Sequence, residues 1–309
     1  LLLGNRFITS SVAGGSFVIS GANTTITNPG TLVFDANTIV KLNIGFNCGA
    51  AGSFVTINGI LEIETGGSCF GNAPKYGTGS LLRYNTGTTF SHNTEWNAVG
   101  VGTTGVTPGY PFNVQVSNAT VVNYPNGAAI GDRAMAGDFT IDSGSALHMN
   151  FSNISTAGSM IVAGNVTNAG TLTLGFAFGD DLKLGGNFVN TGAFNGNDRA
   201  VFFTKNGTQT VSSTSALTIP YIVFAPASGA TTVQLLCNVV VSATLTGSAI
   251  IFSSASDVFD LNGNSLTIGT TGVANVITGS GTFKGSTTSN LTLLGTGSIG
   301  TVSFATNQN

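Results

Sequence analysis

Apolar residues along this chain come in bursts of two to four, each closed by Gly, Asn, Ser or Thr. Bursts of that length are strand-sized, and the residues between them are turn formers. Phe17-Val18-Ile19, Leu32-Val33-Phe34, Val40-Lys41-Leu42, Val55-Thr56-Ile57 and Leu61-Glu62-Ile63 are expected strands. The turns between them include Ala22-Asn23, Asn28-Pro29-Gly30, Asn47-Cys48-Gly49 and Thr65-Gly66-Gly67. No window holds the 3.6-residue apolar spacing with caps, so no helix is expected.

From Phe139 onward the bursts recur. Unit starts fall at Phe139, Met160, Leu182, Val201, Ile222, Val239, Val258, Val276 and Leu291, a quasi-period near 20 residues. One such unit cannot bury its apolar face alone, but a stack of them can. The pattern predicts an all-β fold, a right-handed parallel β-helix (β-solenoid) of roughly 14 coils. At about 4.8 Å per rung that is a rod of roughly 65–70 Å. Phe139, Ile161, Leu182, Phe203, Val223, Val240 and Val258 are expected on or near one inward wall. A one-residue slip would turn Phe202 inward in place of Phe203. Recurrent asparagines, among them Asn165, Asn168, Asn187, Asn190, Asn262 and Asn264, are placed at corners, where Asn tolerates left-handed backbone.

The rhythm breaks between about 70 and 113. Three of the 7 prolines lie there, with the single Trp. Longer loops on a rigid stack are places for binding, so Tyr76, Trp96 and Tyr110 are candidate surface contacts. The competing reading is a wider coil packed by its own aromatics. Val114-Gln115-Val116 and Val121-Val122 resume the strands, with Asn123-Tyr124-Pro125-Asn126-Gly127 as a turn.

Charge narrows the function. Only 7% of residues are charged and the net charge is −3, so no basic stripe exists for nucleic acid. No apolar run reaches the roughly 20 residues of a membrane-spanning helix. There is no Met start at Leu1-Leu2-Leu3-Gly4-Asn5-Arg6, and Ala305 to Asn309 lacks a cap. Residues 1–309 are therefore read as one continuous solenoid segment of a longer chain. Cys48 and Cys69 lie about one coil apart. They are either a disulfide between rungs or two small buried residues; Cys237 is assigned to the core.

Candidate chemistry is sparse. His92 and His148 show no metal-ligand spacing, and no cofactor or metal is expected. Asp181 and Asp198 could meet on neighbouring coils, as paired carboxylates do in glycan cleavage. Both also look like corners, and the corner reading is preferred, so no catalytic residue is assigned. Gly279-Ser280-Gly281 does not sit between a strand and a helix and is no nucleotide loop.

Phe202-Phe203-Thr204-Lys205-Asn206-Gly207-Thr208-Gln209-Thr210-Val211-Ser212 resembles phrases in the repeat regions of very large secreted cell-surface proteins of Bacteroidetes. So do Asp260 to Gly269 and Gly279 to Gly285. The resemblance covers about Leu81 to Phe304. It implies export by the type IX secretion system and an extracellular, cell-surface role as an adhesin or gliding-associated filament. No catalytic residues carry over. The expected function is thus a non-catalytic segment of a surface fibre or adhesin stalk, with partners in neighbouring repeats of the same filament and in surface glycans. The alternative is a carbohydrate-active parallel β-helix, lyase or hydrolase, or a carbohydrate-binding module.

Overall fold

The computed structural model describes residues 6–8, 13–26, 31–49, 54–124, 131–150 and 158–305. The expected turn Asn28-Pro29-Gly30, the end of the turn at Pro125 to Gly127, and the chain ends at Leu1 to Asn5 and Thr306 to Asn309 lie outside them. Every strand pairing among the described residues is parallel, and the one helical element is a 3-10 turn at Thr94–Trp96.

The chain winds as a β-solenoid. One wall is a single 13-stranded sheet, from Gly15–Ile19 through Leu81–Tyr84, Asn113–Val116 and Phe139–Ile141 to Ser303–Phe304. The second position in each coil is shared by sheets of 3, 5 and 4 strands. The third is shared by a 4-stranded sheet ending at Lys75–Tyr76 and a 7-stranded sheet beginning at Arg133–Met135. Thirteen rungs at about 4.8 Å give a rod of roughly 55–60 Å.

The coil count is slightly below the expected 14. The physical reason is coil length. Leu61 pairs with Leu82, 21 residues on, and Phe139 with Val166, 27 residues on. The expected unit starts also jump between walls. Met160, Leu182, Val201 and Ile222 are true successive partners. Val239, Val258 and Val276 instead lie on strands of three different sheets. The expected inward wall is corrected likewise. Phe139, Leu182 and Phe203 are buried, but Ile161, Val223, Val240 and Val258 point outward, each beside a residue that turns in. In three-residue bursts such as Met160-Ile161-Val162 every position is apolar, so composition does not mark the face, and only the rung above and below decides it.

Inside, Phe, Leu, Ile and Val fill the bore. Phe224, Phe259 and Phe283 follow one another at centroid distances of 5.7 and 5.9 Å, and Phe304, 55% exposed on the last strand of the wall, lies 6.0 Å beyond Phe283. Burying such a side chain contributes about 1.5–3 kcal/mol. At the corners, polar side chains tie one rung to the next. Asp138 N donates to Asn113 Oδ1 (2.8 Å), Asn165 N to Asp138 Oδ1 (2.7 Å), Asn187 N to Asn165 Oδ1 (2.8 Å) and Thr210 N to Asn187 Oδ1 (2.8 Å). Each carboxylate or amide satisfies a backbone donor that the bend has taken out of the strand ladder. A few residues further on, Gly170 stacks beneath Gly192. A Cβ on Gly192 would strike the Gly170 carbonyl, and one on Gly170 would strike the Ser145 carbonyl, so this corner requires glycine.

Candidate functional site

The interrupted region is one coil in which the third-position strand is missing. Leu82 pairs with Val114, 32 residues on, so the continuous wall passes the break intact. Residues 92–112 fill the gap instead, held by the Thr94–Trp96 turn and by bridges from Val99 and Gly100 to Arg133. The candidate contact aromatics are not on the surface. Tyr76 and Trp96 are fully buried, and Tyr110 is nearly so. With no strand to close the bore, the turn drops its own side chains into it, and the packed-coil reading is the one the structure bears out. Trp96 Nε1 donates to Ala134 O at 3.1 Å, and its ring lies against Tyr124 and Phe139.

Glu95 enters the bore with Trp96. Its carboxylate accepts from Asn93 N (2.7 Å), Cys69 N (3.2 Å) and Tyr84 Oη (3.3 Å), while Tyr76 Oη donates to its backbone carbonyl (2.8 Å). Burial pushes the Glu95 carboxyl up to about 7 despite these donors. His92 is pushed the other way, to about 4, by burial and by the nearby Arg133. It stacks on Tyr124 at 5.2 Å. This knot of polar groups is buried and braces the break.

Cys48 and Cys69 do meet on neighbouring rungs, but as free, buried thiols. The Cys48 thiol beside it, with burial added, pushes the Cys69 thiol well up. Of the two readings, the unbonded one holds. Cys237 is buried, as expected. His148 is half-buried on its strand, and burial lowers its imidazole. Among the described residues no three His, Cys, Asp or Glu side chains gather as a metal site.

Asp181 and Asp198 are brought together, on the outer face of the 7-stranded sheet. They line a groove of about 300 Å³ with Arg199, Phe178, Phe202 and Tyr221. The groove follows from local folding. Phe202 stands outward because Phe203, next to it, turns in. Asn197 and Asp198 adopt left-handed backbone (φ 46° and 55°), and Arg199 N closes the turn onto Gly196 O at 2.8 Å. That turn delivers Asp198 and Arg199 to the rim. Asp181 Oδ1 accepts from Ala200 N at 2.8 Å, and burial raises its carboxyl above the usual range. Asp198 Oδ1 accepts from Thr244 Oγ1 at 2.7 Å. Tyr221 Oη accepts from Leu245 N at 3.1 Å. The Arg199 guanidinium lies 4.9 Å from the Phe178 ring centroid, and that ring is 84% exposed. The sequence pointed to the two acids; the aromatics around them were hidden because outward and inward Phe look alike in a strand.

No helix among the described residues is long and apolar enough to cross a membrane. Comparison with protein-family models, curated proteins and solved structures gives no match to this chain.

Proposed function

We propose that the chain is a structural rod, a non-catalytic segment of a large extracellular surface fibre or adhesin stalk. The observation that carries this reading is where its acids go. All 12 Asp and Glu residues accept hydrogen bonds or ion pairs within the fold. Asp138, Asp180, Asp181 and Asp257 each accept a backbone N–H from a neighbouring coil. A carboxylate fixed on a backbone donor is a brace between rungs and a poor general acid or base. The apolar bore and unbroken ladder supply cohesion along the axis, and the low charge suits lateral packing against like segments. The phrases shared with Bacteroidetes surface repeats support the same reading, and with it cell-surface export by the type IX route.

Immunogold labelling of the source cells with antibody against residues 131–305 tests it. Decoration of filaments standing off the surface is expected. Label confined to the cell interior would overturn it. So would polysaccharide turnover by the purified chain that is abolished by Asp181→Ala or Asp198→Ala.

A further inference from the structure

The groove beside Asp181 and Asp198 has features that a plain scaffold does not need. Phe178 is 84% exposed, an apolar ring in water on an outer face. One side of it carries the Arg199 guanidinium. Phe202 and Tyr221 contribute two further half-buried rings to the same groove. Arg199 is only 7% exposed, yet among the described residues its hydrogen bonding runs through Nε alone, to Asn197 O at 3.2 Å. Its Nη groups therefore have donors to offer within the groove. Asp181 and Asp198 each spend one carboxylate oxygen on the protein, leaving acceptor capacity on the other.

We propose that this groove binds a short segment of a neutral glycan chain, which goes beyond the scaffold role. A pyranose ring is amphipathic. Its axial C–H faces carry slight positive charge and lie well on the negative face of an aromatic ring, while its equatorial hydroxyls both donate and accept. Open phenyl faces with carboxylate acceptors and guanidinium donors at their edges match that split. The charge balance selects among glycans. Asp181 and Asp198 are offset by Arg199 and by Lys183, which lies 5.8 Å from the Phe202 ring centroid. A site so balanced has no net attraction for uronate or sulfated chains. Its volume of about 300 Å³ is at the small end for ligand pockets, about 300–1,000 Å³. One or two sugar residues would be held, and a multi-site fibre would gain strength by avidity.

Affinity electrophoresis of the purified chain in gels containing galactomannan, xylan, mixed-linkage glucan or polygalacturonate tests the proposal. Retardation by at least one neutral polymer is expected. Phe178→Ala should weaken it about tenfold, and Arg199→Ala should also weaken it. Phe176→Ala, an exposed ring outside the groove lining, should leave it unchanged. Phe178 is exposed, so its removal should leave the unfolding midpoint in place and the readout clean. Lack of retardation by every neutral polymer, retardation by polygalacturonate alone, or equal retardation of the Phe178→Ala variant would each overturn the proposal. None of these results bears on the filament labelling, so the two readings fail separately.

Discussion

The coils from Arg133 to Phe304 and the coil that runs from Leu81 to Asn113 solve the same problem in opposite ways. Each must close a bore and satisfy the backbone where the chain bends. In the regular coils, strands on each side close the bore with apolar side chains, and Asn and Asp ladders tie the corners. In the interrupted coil one strand is missing, and the bore is closed by a turn that brings Glu95, Trp96 and His92 inside. The regular solution keeps its buried carboxylates, such as Asp180 and Asp257, at corners on backbone N–H donors. The irregular one carries a carboxylate and an imidazole into the bore and must hydrogen-bond or neutralise them, because an unpartnered buried charge is costly. The rod passes the lost strand with Glu95 held by three donors and His92 kept neutral by burial.

The largest expected difference lies in the regular bore. Phe203→Ala should lose about 3–5 kcal/mol, since Phe203 is fully buried in the stack. Phe202→Ala, one residue away and facing out, should stay within about 1 kcal/mol. Urea unfolding of both variants measures the contrast, and equal losses would mean that this wall has no inside.

The next effect belongs to the interrupted coil and is a dependence on pH. Glu95 faces Tyr76, Tyr84 and Cys69, and burial raises its carboxyl to about 7. Its contribution is fully present below about 4.5 and is lost as pH rises through about 7. His92 faces Arg133, Tyr124 and Trp96, and is lowered to about 4. Its contribution is present above about 6.5 and is lost as pH falls through about 4. Each is worth about 3 kcal/mol, and over pH 5–8 they oppose each other. The native chain should show a nearly flat stability profile there. Glu95→Gln should leave stability rising with pH, and His92→Gln should leave it falling. Thermal unfolding at pH 5, 6.5 and 8 reads the slopes; parallel profiles in all three proteins would remove titration from the account of this coil.

Corner ladders should show a smaller effect. Asn187→Ala removes the acceptor for Thr210 N and should cost about 1 kcal/mol. Thr208→Ala, exposed beside it, should fall within about 0.5 kcal/mol. Chemical denaturation of the pair separates a corner that ties rungs from a surface that merely covers them.

The strand content and the place of the break were legible because they depend on local spacing and turn chemistry, whereas the spacing near 20 ran short of the true coil because later bursts belong to different walls. Asn165 and Asn187 at corners belong to the same class. What was not legible depends on the neighbouring rung. Val258 reads as an inward residue until Phe259 is seen stacked between Phe224 and Phe283. Trp96 and Tyr76 read as surface aromatics because prolines and glycines surround them, and only the missing strand explains why they turn in. Asp181 and Asp198 stand out in sequence as sparse acids, but Phe178 and Arg199 do not, since the cation–ring contact that frames the groove links residues 21 apart in sequence.

The 13-stranded wall runs unbroken through the interrupted coil. Peptide-resolved hydrogen exchange tests it most directly, by comparing Leu81–Tyr84 and Asn113–Val116, on either side of the break, with Val166–Asn168 in the regular stack. The account predicts slow exchange of similar degree in all three, with one cooperative opening. Fast exchange at Leu81–Tyr84 and Asn113–Val116 while Val166–Asn168 stays protected would contradict it, and would make the chain two stacks joined at a weak seam.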